Sequence, residues 1–398
     1  MAIDSNLLNN IVSIVWVVFI FITVIFGQRM MVSQILIKSE QFAIELENMT
    51  VKGKNHVLKK IGKKDKSTKE SVDHFMDFFV IEPVNLDPYG IMRKIEHVVD
   101  LSEKRFKYFV DRVAPHLDSE EKANLTMGLS GALSLNQLAK VVRHFVEMLR
   151  KTKNLQFAVI LQIQISLLER PAKALLAGTE ALTNGWPIGD AAGPFVVANM
   201  IGDSTPKEIE EGTLVYQKKI KKRTVYIVKA KGPGGRLGKL GKTVEKLMKT
   251  KRICKIISID AAAKLEGEKT GTVAEGIGVA IGGIGVDRAY IENIAVNKNI
   301  PLDSIIIKMS QEEAIQPIKR EILNAVPNAI KIVENTIEDT KERGDILVVG
   351  VGNTGGVGNS KKAAEDAERE ARKISKVFEE REKKEKKNWL GWLGWLAG

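Results

Sequence analysis

A chain of 398 residues, 44% hydrophobic and 28% charged, has room for two ordinary domains and enough apolar side chains for a sizeable core. Its single cysteine, Cys254, excludes an internal disulfide and a cysteine-built zinc site, and suits a reducing compartment. The formal net charge of +12 is concentrated: fourteen Lys or Arg lie between Lys218 and Arg252 against one acid, Glu245, and eight lysines lie between Lys52 and Lys69 against Asp65. Such runs attract phosphate-bearing partners or an anionic membrane surface, or else form solvated loops.

No charged residue interrupts Ile11 to Phe26, a run rich in Val, Ile and Phe. With its flanks it reaches the roughly 20 residues that span a bilayer as a helix. A cleaved signal peptide fits poorly, because no basic segment precedes the run and no small-residue cleavage site follows. Residues 1–28 therefore read as a transmembrane anchor, with Trp16 inside it. Only Asp4 charges the short N-terminal side, whereas Arg29, Lys38 and the lysine run follow the span. Positive residues stay inside, so the expectation is a single-pass protein of the cell membrane with its bulk in the cytoplasm. Residues 29–70 read as a basic juxtamembrane linker.

Residues 71–184 carry helical periodicity. Leu135, Leu138, Val141, Val142, Phe145 and Met148 share one face, and the more apolar segment after Leu155 is interrupted by Gln162, Gln164 and Ser166, as in a core helix rather than a second span. The five histidines all precede Phe145, and no two have a metal-binding spacing.

After Gly185 the pattern changes to short β-branched runs bounded by glycine, alternating with helical stretches around Ala289–Ala295 and Gln311–Thr340. The runs "TLVY", "TVYIVKA", "CKIISID", "SIIIKM" and "DILVVGVG" predict an α/β domain over 185–360 with a largely parallel sheet. A charged helix follows over 361–388. The last segment, 389–398, repeats tryptophan, leucine and glycine behind a basic stretch. Trp389, Trp392 and Trp395 suit the headgroup boundary of a bilayer. A hydrophobic peg on a sister subunit, or a disordered end, is the alternative.

Two glycine-rich stretches invite nucleotide readings. "GPGGRLGKLGKT" ends in Gly241-Lys242-Thr243 but has Arg236 where a Walker A loop needs glycine, so the phosphate-loop reading fails. Gly234, Gly235, Arg236, Lys239 and Lys242 could still hold an anion. "GVGNTGGVGN" matches a dinucleotide fingerprint formally, but no strand follows to carry the ribose-binding acid. A pair of acids says more. Asp190 sits in a glycine-framed turn before an apolar helix, and Asp260 ends a buried strand, the edge at which open α/β sheets place ligands. A buried carboxylate there needs a partner, a metal or a shared proton; helix N-capping is the plain alternative for each.

The segments "PIGDAAGPFVV", "IISIDAAA", "GVAIGGIGVDR" and "NIPLDSIIIKM" occur in one order that resembles the spore germination proteases and the hydrogenase-maturation proteases. That resemblance covers 185–360 and implies a three-layer α/β fold of the phosphorylase–peptidase type. It makes Asp190 and Asp260 the catalytic acids of a peptidase. Those families begin with a strand running into a "GVGN" loop, which here lies at the far end and ends in Asn353, so the resemblance implies a circular permutation. The metal-binding histidine of the hydrogenase proteases has no counterpart. If a divalent metal is used, Asp190 and Asp260 would hold it, with Glu266, Glu268 or Glu275 replacing the histidine. The whole chain resembles a family of archaeal membrane-anchored proteins of unknown function.

The expected function is a membrane-anchored peptidase-like hydrolase. Two alternatives stand beside it: a non-catalytic homo-oligomeric scaffold on the lipid bilayer, or a binder of a phosphorylated ligand through Lys218–Arg252. Nucleic acid is disfavoured, since only Tyr216 and Tyr226 could stack on bases in that segment.

Overall fold

The structure is a computed structural model, and it describes residues 5–63, 65–80, 90–202, 204–278 and 286–396. Helix α1 (Ser5–Ile61) runs unbroken for 57 residues, about 85 Å at 1.5 Å per residue. Its described side chains between Val12 and Phe26 are exposed. Beyond them Val32, Ile35, Ser39, Phe42, Leu46, Met49 and Gly53 are buried, alternating steps of three and four. That is a heptad seam, and it explains a difference from the sequence reading. A linker was expected over 29–70, but the seam keeps the chain helical through Ile61, with the lysines outside it.

Two compact units divide the chain: residues up to Lys52 with Ser134–Lys173, and Gly53–Leu133 with Ala174 onward. The division passes through α1, α4 (Ser119–Thr152) and α5 (Leu155–Asn184), so the helical region expected over 71–184 is shared between the two. In the first unit Arg143 bonds Glu40 and Glu47, and Arg150 bonds Glu40, which sets α4 antiparallel to α1. Leu135, Ala139, Val142, Val146 and Leu149 are the buried face of α4 there.

The second unit contains α2 (Lys66–Phe75), α3 (Ile91–Val113), the lower parts of α4 and α5, and a seven-stranded sheet. The strands are β1 (Lys207–Glu210), β2 (Thr213–Ile220), β3 (Arg223–Ala230), β4 (Ile253–Ala263), β5 (Val273–Ile277), β6 (Leu302–Met309) and β7 (Asp345–Gly350), in the order β1-β2-β3-β7-β4-β6-β5. The four central strands β3, β7, β4 and β6 are parallel, whereas β1, β2 and β5 pair antiparallel at the edges. The sheet is mixed rather than largely parallel. The sequence reading lacked β1 and β5, because both are short edge strands with charged or glycine residues and no apolar alternation.

Helices cover both faces. The alternation of a strand sends Ile346 and Val348 of β7 to one core and Leu347 and Val349 to the other. The first core is closed by α6 (Ala192–Met200), α10 (Arg320–Asp339) and the start of α11 (Lys361–Leu396). The second is closed by α7 (Leu240–Thr250) and α8 (Val286–Lys298); the short α9 (Gln311–Ile315) leads into α10.

One buried cation ties the end of β3 to the loop after β7. Lys229 has no exposed surface, and its Nζ donates to the Ala230 carbonyl and to Asn359 Oδ1, both at 2.9 Å. The same Asn359 Oδ1 accepts the Gly232 N–H at 2.9 Å. Burial pulls the Lys229 ammonium from 10.5 down to about 7, against a small opposing pull from Glu120.

Candidate functional site

Three segments far apart in sequence meet at the carboxyl edge of the central strands. Asp190 lies in a single 3-10 turn, Gly189–Ala191, directly before α6. Asp260 lies on β4, opposite Ile306 of β6, and is 3% exposed. Asn353 lies in the loop after β7, which stays registered on β4 through Val351 N–H donating to the Ile259 carbonyl at 2.8 Å.

Close backbone approach makes this meeting possible. A Cβ on Gly193, in the first turn of α6, would stand 2.2 Å from the Val351 carbonyl oxygen and 2.5 Å from that of Ile259. Gly352 has φ +128, and a Cβ there would lie 1.9 Å from the Asp190 carbonyl oxygen. Glycine is the residue that fits both places. The Asn353 N–H then donates to Asp190 Oδ2 at 2.8 Å, while Asn353 Oδ1 accepts the Gly355 N–H at 2.8 Å and holds its own loop closed. One oxygen of Asp260 accepts the N–H of the next residue, Ala261, at 2.6 Å.

Asp190 and Asp260 both line a cavity of about 340 Å³, together with Val351 and Gly352. Asp190 is half-buried by accessible surface, but its carboxyl is closely surrounded by protein atoms. Burial therefore raises its pKa, with the Asn353 N–H opposing. The rest of the wall comes from α3, α7 and α8. Asp287 at the start of α8 accepts the Gly241 N–H at 2.7 Å, and burial raises its pKa too, with that hydrogen bond opposing. On Glu96 burial works upward, but hydrogen bonds from Lys242 and Tyr290 outweigh it and hold the carboxylate below its usual range. Asp100 behaves alike: burial opposes, and the Lys239 ammonium 2.9 Å away prevails. The cavity thus gathers two acids that burial inclines to protonation, Asp190 and Asp287, and two that lysines hold ionised, Glu96 and Asp100.

The glycine loop before α7 does meet hydrogen-bond acceptors, but they are side chains of its own chain, a carboxylate and an amide. Gly234 N–H donates to Glu120 Oε2 at 2.7 Å, and Gly235 N–H to Asn124 Oδ1 at 2.7 Å. Arg236 grips Glu120 with both terminal nitrogens, at 2.6 and 3.0 Å. Lys239 pairs with Asp100 and Lys242 with Glu96. Lys221, Lys231 and Lys246 likewise meet Glu338, Glu208 and Glu210. Six of the fourteen basic residues between Lys218 and Arg252 are thus paired with acids that lie outside that segment.

Glu275 is exposed on edge strand β5 and is not among the residues lining the cavity of Asp190 and Asp260. Among the described residues no group of three or more His, Cys, Asp or Glu is arranged to hold a metal ion. Trp16 is exposed on α1, edge-on to Phe19. Trp389, Trp392 and Trp395 fall on the last turns of α11, but their side chains lie outside the described residues. Glu96, Asp100 and Asp287 had no assigned role in the sequence. A signal existed for each: Glu96 and Asp100 are one helical turn apart, and Asp287 is next to last in the segment "GVAIGGIGVDR".

A mixed α/β protein with a helical N-terminal region, one apolar helix and a carboxylate-lined cavity at its sheet edge is the class these observations define. Among the described residues α1 is the one helix long and apolar enough to cross a membrane, with mean hydropathy 2.1 and none of that window buried. The chain belongs to the DUF1512 family, matching the N-terminal domain of that protein of unknown function over residues 13–185 and its C-terminal domain over residues 188–358. No curated protein and no solved structure matches it.

Proposed function

We propose that this chain is a single-pass membrane protein whose cytoplasmic α/β unit hydrolyses peptide bonds with Asp190 and Asp260, in a permuted arrangement of the phosphorylase–peptidase type. The observation that carries the reading is the shared cavity of the two aspartates, seventy residues apart in sequence, with the Asn353 N–H fixed on one of them. Both carboxyl groups face that cavity, and burial inclines the one on Asp190 to keep its proton. Burial makes Asp190 the better acid to stay protonated and polarise a carbonyl oxygen, leaving Asp260 to take a proton from the attacking water. The order of the motifs that resemble the germination proteases supports the same roles. The bare apolar stretch of α1 supports the anchor, and Arg29 and Lys38 after it support a cytoplasmic body. The Trp-rich end of α11 would return to the same membrane surface. The test is a peptide library incubated with the full chain in bilayer nanodiscs, each new terminus read by mass spectrometry. A library left intact by correctly folded protein would remove the peptidase reading.

One observation favours a second reading, an oligomeric scaffold. Met30, Ile37, Ile44 and Val51 are exposed on α1 at intervals of seven residues, on the face opposite its buried heptad seam. A second copy anchored alongside would present the same stripe in register, as parallel coiled coils do.

A further inference from the structure

We propose that the cleft between α2 and α3 binds the phosphate group of a phosphorylated ligand. The cleft measures about 350 Å³, within the range of small-molecule sites and larger than a bare phosphate fills. Its two walls are helix faces. From α2 come Ser67, Ser71 and His74, in steps of four and three residues, so that they stand on one side of the helix. From α3 come Arg105, Tyr108 and Arg112, in steps of three and four. Arg105 and Arg112 are about 10 Å apart along the helix axis, a gap that two flexible side chains close onto one anion.

The state of these cations sets the cleft apart. In the basic segment before and within α7, arginine and lysine are met by carboxylates of the same chain. Arg105 and Arg112 have no hydrogen bond or ion pair to any described residue; Arg112 only lies 5.9 Å from the centre of the Phe109 ring. Glu70, the acid in the lining, has Lys66 3.7 Å away. Two guanidinium forks, two hydroxyls and an imidazole supply more donors than a carboxylate can accept, and suit the three terminal oxygens of a phosphomonoester. The floor is apolar: Phe75 and Phe109 are buried and stacked with ring centres 4.1 Å apart. Tyr108, 61% exposed, flanks the opening and would cover the organic part of the ligand. The lysine run around α2 adds long-range attraction for an anion.

The probe is inorganic phosphate, titrated into the full chain in nanodiscs of phosphatidylcholine and followed by 31P line broadening. Saturable binding is expected, weakened roughly tenfold or more in the Arg105→Ala/Arg112→Ala double variant. The Lys104→Ala/Lys107→Ala variant, which removes equal charge from the same helix outside the cleft, should bind as the parent does. Both are surface changes, and an unchanged unfolding midpoint would show that the fold is intact. Repeating the titration in nanodiscs containing phosphatidic acid identifies the source. Loss of phosphate binding there means that a lipid headgroup occupies the cleft, and unchanged binding means a free phosphorylated compound. Binding that never saturates, or that survives loss of both arginines, overturns the proposal.

Discussion

Replacing Lys229 by methionine should make the protein more stable at neutral pH and erase a pH dependence. The ammonium is fully buried, and its pKa falls from 10.5 to about 7 because burial penalises the charge. A depressed basic group binds fewer protons folded than unfolded between those two values, so stability rises with pH across that window. Below about pH 7 the penalty is complete, on the order of 4–5 kcal/mol. Methionine removes it and fills a similar volume. The substitution also loses the hydrogen bonds to the Ala230 carbonyl and Asn359, each worth about 1 kcal/mol, while Asn359 Oδ1 keeps the Gly232 N–H. The net gain at neutral pH is about 2 kcal/mol. Urea unfolding of parent and variant, followed from about pH 7 to about pH 10, measures it. The parent should stabilise as pH rises, and Lys229→Met should be flat. A variant less stable than the parent at neutral pH, or a slope unchanged by the substitution, would refute the reasoning.

Four further outcomes follow from the packing and the charges. Gly193→Ala should destabilise by several kcal/mol in urea unfolding, since its methyl would stand 2.2 Å from a backbone oxygen that cannot move alone. Asp190→Asn should stabilise at neutral pH in urea unfolding: its raised acid pKa means that stability is lost as pH climbs from the unfolded value through the folded one. The variant should flatten that loss. A double-mutant cycle on Arg236 and Glu120 should give a coupling of about 1–2 kcal/mol for the bidentate pair; no coupling would mean that the pair is only a surface contact. Ile44→Lys, in the exposed stripe of α1, should lower the oligomeric state seen by mass photometry if the stripe joins copies, and an unchanged mass would remove the scaffold reading.

How much was legible in the sequence varies with the physics involved. Strands β4 and β7 announce themselves, because strands buried on both faces are near-continuous Ile and Val. Edge strands β1 and β5 do not, since "KEIE" and "VAEGI" are short and their few apolar residues are broken by charge and glycine. The meeting of Asp190 with Asn353 was readable only from motif order; no local pattern links residues 163 positions apart. The ion pairs of the basic segment were hidden for the same reason. Composition marked Arg236, Lys239 and Lys242 as open cations, yet Glu120, Asp100 and Glu96 reach them from more than a hundred residues upstream. Charge counted along a chain misses charge cancelled across a fold. Helix α1 shows the converse: its heptad seam was present in the letters, but the lysines beside it drew attention to a linker.

The central claim is that Asp190 and Asp260 form one catalytic pair, and the direct measurement is kcat/KM for a cleaved library peptide in three variants of the full chain. Asp190→Asn and Asp260→Asn should each lose about 100-fold or more, as expected when a general acid or base is removed, with the fold intact by circular dichroism. Glu275→Gln, exposed on β5 and outside the cavity, should keep the parent rate. Activity that persists in both aspartate variants would contradict the account.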